Sequence, residues 1–337
     1  MTRALPAVLI GAVTVLAALT GCGTSPADEQ ADLIVYSGRE EELVAPVIEM
    51  FEQESGLDVE TRYGDSAELA ATLLEEGENS PADVFFSQDA GALGAVQNDD
   101  LLAQLPETTL DRVPAQFRSQ AGNWVGISAR ARVIGYSTEV DAGELPESIL
   151  DYTKPEWKGK VGWAPTNASL QTQITAMRDR IGDAAVGDWI EGMVANDAQV
   201  YPDNTAVRDA IANGEIDTGL LNHYYIAQAI AEEGDDYPVA IRYLTGSDPG
   251  SLVNVAGAAE IEGTNQRERA IEFIDFLLSD QAQEYFADGS KEYPLVPGVR
   301  ADGSLRPLEE VEQPDLDLSD LDDLQGTLEL MREHGAL

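Results

Sequence analysis

Asn222-His223-Tyr224-Tyr225 is the stretch of this 337-residue chain whose residue types could do the least ordinary chemistry. An apolar run, Gly219-Leu220-Leu221, leads into it and Ile226-Ala227 follows, so the tyrosines sit where a buried strand gives way to a helix. A phenol has an unperturbed pKa of about 10 and stays protonated at neutral pH. Two phenolates side by side are reasonable only next to a strongly polarising cation, because a bound metal ion overrides the local pKa order. Ferric iron, hard and oxygen-seeking, is such a cation. Tyrosine pairs at strand ends also serve as pocket walls or core packing, and the dipeptide alone leaves both readings open.

The elements that must position this pair read as an α/β pattern. Leu33–Tyr36 is a short β-prone run that stops at Ser37-Gly38-Arg39, and Leu43, Val47, Ile48 and Phe51 then recur at helical spacing. Acids at Glu40, Glu41 and Glu42 suit that helix's first turn. A strand over Leu57–Tyr63, a helix over Ser66–Glu76 and a strand over Ala82–Phe86 complete a β-α-β start typical of a parallel sheet. Ligands bind beyond the carboxyl ends of such strands, which places Ser37, Gly38, Arg39, Ser87 and Gln88 near an expected site.

Further along, Trp124–Ser128 and Arg132–Tyr136 read as strands bracketing Ala129-Arg130-Ala131, a crossing between lobes. Ala164–Ser169 opens a helix; its hydroxyl and amide residues are ordinary N-caps, and such a terminus can also hold a small anion. Pro202-Asp203-Asn204 precedes a helix over Thr205–Ala212, and Gly214–Leu221 is the strand feeding the tyrosines. Strands over Val239–Tyr243 and Leu252–Ala259, helices over Arg267–Leu278 and Gln281–Ala287, and a final helix over Leu321–Glu333 follow. Tyr293–Val299, with its prolines, reads as an extended surface segment.

The N-terminus predicts export. Arg3 precedes an apolar segment, Ala4–Leu19, shorter than a comfortable membrane span and ending at Leu19-Thr20-Gly21-Cys22. That ending resembles the bacterial lipoprotein box, which implies a signal peptide over 1–21, lipidation of Cys22 and a tether over 22–31. Cys22 is the only cysteine, so no disulfide partner exists. The formal net charge of −42, from 62 acidic and 20 basic residues, disfavours nucleic acid and anionic membrane surfaces as partners. The acidity fits either cation attraction toward a binding cleft or a solvated surface suited to high salt, and the spread of the acids along the whole chain favours the second.

Seven short segments in order along the mature chain carry a family resemblance: Val35-Tyr36-Ser37-Gly38-Arg39, Phe51-Glu52-Gln53-Glu54-Ser55-Gly56, Glu75-Glu76-Gly77, Ser80-Pro81-Ala82-Asp83-Val84-Phe85, Trp157-Lys158-Gly159-Lys160, Asn222-His223-Tyr224-Tyr225 and Glu292-Tyr293-Pro294. The chain resembles the ferric-iron-binding proteins that serve bacterial ABC transporters, within the extracellular solute-binding proteins. The resemblance implies a two-lobed, type II periplasmic-binding-protein fold of α/β class with hinge strands and a ligand cleft between the lobes. It implies an N-terminal lobe of 32–130 plus 255–305 and a C-terminal lobe of 131–254 plus 306–337.

The resemblance makes Tyr224 and Tyr225 the paired metal ligands. Where some members add a histidine, a glutamate or a third tyrosine, this chain has Glu40 beside Arg39, Gln88, and Asn167-Ala168-Ser169. Two phenolates neither fill an octahedral ferric shell nor neutralise three positive charges, which with the resemblance implies a synergistic anion, carbonate, phosphate or another small anion, together with water. Arg130 matches the arginine beside that anion in related proteins; Arg39 is a second candidate, its fork of donors suiting a planar oxyanion. Asn167, Ser169, Asn204 and Asn222 fall at positions resembling the anion-holding residues of the second lobe, and Glu40 is a further carboxylate. His223 reads as pointing away from the pair in an extended segment.

The expected function is the extracellular component of an iron importer, a lipid-anchored monomer on the outer face of the cell membrane that works with permease and ATPase subunits. The alternative is a receptor of the same fold for another small anion or organic solute, such as a phosphonate, thiamine or a polyamine. An enzyme is disfavoured: there is no G-x-S-x-G elbow, no G-x-G-x-x-G and no Walker loop, and neither of the two histidines lies near a serine–acid pair.

Overall fold

The computed structural model describes residues 31–337. The expected signal peptide, Cys22 and nearly all of the expected tether lie outside the described residues. The chain opens as β1 (Leu33–Ser37), α1 (Glu41–Ser55), β2 (Val59–Tyr63), α2 (Ser66–Glu76), β3 (Val84–Ser87), α3 (Ala90–Asn98) and the one-turn α4 (Glu107–Leu110). β1 pairs in parallel with both β2 and β3, the βαβ arrangement expected of this alternating pattern. α1 turns Val44, Val47, Ile48 and Phe51 inward and ends at Gly56, whose φ of 75° is the left-handed cap glycine tolerates best.

Val125–Ser137 forms one continuous strand, β4, where two strands with a crossing between them were expected. A single strand is possible because its halves have different partners, so no break is needed to change sheets. The first half pairs with β9 (Val253–Glu260) and with the two-residue β10 (Tyr293–Pro294). The second half pairs with β7 (Thr218–Asn222) and β8 (Val239–Tyr243). The strand order is β2-β1-β3-β9-β4-β7, continuing to β5 (Val161–Trp163) and the edge strand β6 (Gln199–Val200).

Helices α5 (Ala168–Ile181), α6 (Asp183–Ala195), α7 (Asn204–Ala212) and α8 (His223–Glu233) surround the second half. Helices α9 (Arg267–Leu277) and α10 (Asp280–Asp288) return to the first, and α11 (Leu324–Glu333) closes the chain. The buried side chains fall into one core built on β1, β3, β9 and the start of β4, and two cores around β5, β7 and α5–α8. The final segment is shared: Leu318 and Leu321 join the first core, whereas Met331 sits in the second. Tyr293–Leu295, expected on the surface, is buried, because β10 pairs with Ser128 and Ala129 of β4. Among the described residues, no helix is long and apolar enough to cross a membrane.

Candidate functional site

β7 ends at Asn222, which N-caps α8, so Tyr224 and Tyr225 occupy the first helical turn and are not extended. Their rings stack with centroids 4.3 Å apart and 28° between planes. Tyr224 is 5% exposed and Tyr225 is half-buried, both on the wall of a cavity of about 440 Å³. Burial, reinforced by Tyr225 and Glu292 and opposed by Arg130, pushes the Tyr224 phenol well above its ordinary pKa. The phenol therefore keeps its proton until something strongly positive replaces it.

His223 turns away from that cavity, into the crossing between lobes. Its Nδ1 accepts the Ala131 N–H at 3.1 Å and its Nε2 lies 3.0 Å from the Lys291 carbonyl. A carbonyl only accepts, so Nε2 carries the proton and the ring is neutral. Burial pushes its pKa down to about 4, and the ring stacks on Tyr293 at 4.5 Å.

The first-lobe wall is built from the ends of β1 and β3. Gly38 is required there, since a Cβ would collide with the Ser66 hydroxyl, which accepts the Gln88 N–H at 2.9 Å. Arg39 is buried and forms a two-pronged pair with Glu292 at 3.0 and 2.8 Å, while also donating to the Gln88 side chain. Ser128 and Ser290 donate to the same Glu292 carboxylate, each at 3.1 Å. Burial works against both charges, but Arg39 holds the Glu292 carboxyl below its usual range and Glu292 raises the guanidinium. Glu40 lies on the cavity wall at the start of α1 and makes no side-chain cap hydrogen bond.

Behind the tyrosines, Ser128, Arg130 and Arg132 alternate along β4 and so share one face of the strand. Arg130 donates to the Gln88 carbonyl on the first lobe. Arg132 donates to Gln173 at 3.0 Å and to Asn222 at 3.2 Å on the second. Burial depresses both guanidinium pKa values, Arg132 to about 9, so their charge is held at a cost. Arg39 Nε, Arg130 Nε and Nη1, and Arg132 Nη2 are buried without a hydrogen-bond partner. Against these three buried guanidiniums stand the carboxylates of Glu292 and, at Arg130, Asp89, and the guanidiniums keep donors to spare.

The second-lobe wall is neutral and tied together by amides. Asn167 caps α5, accepting the Ser169 N–H at 3.0 Å and the Asn204 side-chain amide at 3.1 Å. Asn222 donates to the Ser169 hydroxyl at 3.1 Å. Asn167 and Ser169 line the cavity with Arg39, Gln88 and the tyrosines, whereas Asn204, Asn222 and Arg130 are not on its surface and stand behind it. Among the described residues, no group of three or more His, Cys, Asp or Glu side chains is placed to hold a metal.

Residues 79–314 match the model of the family described as bacterial extracellular solute-binding protein. This chain belongs to that family. The solute-binding protein is 31% identical over 333 residues to the Fe(3+)-binding periplasmic protein of Serratia marcescens, covering 97% of this chain and 98% of the relative. Its fold matches iron-bound HitA from Pseudomonas aeruginosa with a TM-score of 0.84 at 33% identity, covering 90% of this chain and 99% of that one. It matches Trichodesmium IdiA (FutA), in complex with iron and citrate ligands, with a TM-score of 0.78 at 30% identity, again over 90% and 99%. Like these neighbours, the solute-binding protein has the two-lobed type II periplasmic-binding-protein fold. Members of its family are transport proteins that work with ABC transporter components, not enzymes.

Two residues of this site escape a sequence reading centred on the tyrosines. Arg132 carried a usable signal, since it repeats Arg130 at the two-residue spacing of one strand face. Glu292 stood within the Glu292-Tyr293-Pro294 segment, but nothing there pointed to Arg39, which lies 253 residues away and is paired with it only by the fold.

Proposed function

We propose that this chain captures ferric iron through Tyr224 and Tyr225, with carbonate or another small oxyanion completing the shell, and delivers it to an ABC permease. The observation that carries this reading is the stacked phenol pair on a cavity backed by three buried guanidiniums with unpartnered donors. A trivalent cation replaces the phenolic protons, and an oxyanion answers both the remaining metal charge and the surplus of guanidinium donors. The ferric-iron-binding and iron-bound relatives support the choice of metal. Arg39, Gln88 and Arg130 act from the first lobe, Asn167 and Ser169 from the second, with Asn204 and Asn222 holding those two in place. Closure of the lobes around the loaded site is the hinge behaviour of such proteins. Export by the leader and anchoring through lipidated Cys22 at the outer face of the membrane complete the reading.

Ferric loading in bicarbonate is expected to give a visible phenolate-to-iron charge-transfer band. It is expected to vanish in Tyr224→Phe/Tyr225→Phe, with a loss of affinity beyond the ~10- to 100-fold typical of an outer partner. A band that survives in the double variant, or is missing in the wild type, overturns the assignment. The unpartnered guanidinium donors also favour a second reading, a receptor for an oxyanion without metal. Calorimetry with a phosphonate, thiamine and a polyamine beside ferric citrate separates the two.

A further inference from the structure

Next to the tyrosine cavity lies a second chamber of about 460 Å³, and the two share Asp65, Asp89, Thr166 and Ala168 as walls. Six water-sized ligands at ~30 Å³ each would occupy on the order of 200 Å³. A ferric ion and its small anions therefore fit within the first cavity alone, whose volume is about 440 Å³. The second chamber is surplus to free iron.

Its walls say what it takes. Ala70, Ala71 and Leu74 of α2 face it from one side, Ala92 and Ala95 of α3 from another. Leu321, Leu324 and Leu328 of the C-terminal segment also line it. Those leucines are held in place: Gly91 and Gly94 let the backbone at Leu321 and Ser319 close onto α3, and Thr327 hydrogen-bonds Thr175 of α5 at 2.8 Å.

The polar wall residues are already engaged. The Thr172 and Thr175 hydroxyls donate back to carbonyls of their own helix, and Gln171 donates to the Pro165 carbonyl. Asp65 and Asp89 cap α2 and α3, Asp322 accepts the Asn98 side-chain amide, and Gln325 donates to Glu329. The chamber thus offers apolar contact with few free hydrogen-bonding groups, and its acids repel a free carboxylate.

We propose that this chamber receives the apolar arm of a ferric chelate whose metal-binding end sits at the tyrosines, and that the chelator is an uncharged-tailed hydroxamate, not a polycarboxylate. This rests on the ferric reading above. A hydroxamate brings two oxygens to the metal, taking the place of the oxyanion, while its uncharged hydrocarbon tail passes the Asp65 and Asp89 carboxylates without charge repulsion.

The test uses the full mature protein and ferric complexes of straight-chain hydroxamates from acetohydroxamate to octanohydroxamate, with carbonate excluded. Affinity is expected to rise about threefold to fourfold per methylene over the first few carbons, as each buried CH₂ predicts, then level off as the chamber fills. Ala71→Trp and Ala95→Leu, which fill the chamber without touching the tyrosine wall, are expected to flatten that dependence and to leave ferric–bicarbonate binding unchanged. A flat series in the wild type, or the same slope in both filled variants, overturns the proposal. Loss of the wild-type ferric–bicarbonate band instead overturns the ferric reading beneath it.

Discussion

The two walls of the cleft solve opposite problems. The first-lobe wall is an ion pair in a dry setting: the side chains of Arg39 and Glu292 are 0% and 1% exposed, with Ser128, Ser290 and Gln88 completing the network. The second-lobe wall has phenols, a cap asparagine and a hydroxyl, joined by neutral hydrogen bonds through Asn204 and Asn222. A buried charge that loses its partner is far more costly than a lost neutral hydrogen bond. The difference predicts that breaking the Arg39–Glu292 pair costs chiefly fold stability, whereas losses on the second wall fall chiefly on ligand binding.

The sharpest way to break that division is Glu292→Gln. It leaves Arg39 buried without its counter-charge, and about 3–5 kcal/mol of stability should disappear. Denaturant titration measures this, and iron taken up by the folded fraction should keep its visible band. A stable variant that has lost the band would mean that Glu292 serves the site and not the fold.

Next in size is the acid response of the crossing between the walls. His223 has a folded pKa of about 4 against an ordinary 6.5, so the folded state disfavours the charged ring. A depressed pKa contributes stability that is present above about 6.5 and lost as pH falls toward 4. The gap corresponds to roughly 3 kcal/mol. The buried groups facing the ring are Glu292, which favours its charging, and Arg130, which opposes it. Urea unfolding of the metal-free protein from pH 7 to 4 should show this slope, and His223→Gln should remove most of it. An unchanged slope in the variant would place the acid-sensitive step elsewhere.

Much of this was legible in the sequence because it depends on local pattern. The βαβ start, the strand feeding the tyrosines and the capping role at Asn167 follow from periodicity and from short polar residues before a helix. The geometry of the tyrosine pair was less legible. Asn222 could end a strand or cap a helix, and only the packing of α8 puts His223 back onto Ala131. The continuity of β4 was hidden for a different reason: a strand that changes partners midway shows no break in its own residues. The Arg39–Glu292 pair was least legible, since nothing local marks a buried charge whose partner comes from the other end of the chain.

The smallest effect tests the second wall on its own terms. Asn167→Ala removes a cap acceptor from the Ser169 N–H and a partner from the Asn204 amide. The loss of a cap costs about 1 kcal/mol, a modest shift in a thermal melt. An outer partner of a metal site nevertheless tunes affinity by ~10- to 100-fold. Because Asn167 sits where an oxyanion would meet the start of α5, that loss should appear in ferric binding with bicarbonate and shrink when a hydroxamate supplies the oxygens. Equal losses with both ligands would show Asn167 to be a general brace of the wall. A stability loss as large as that of Glu292→Gln would erase the division between the walls.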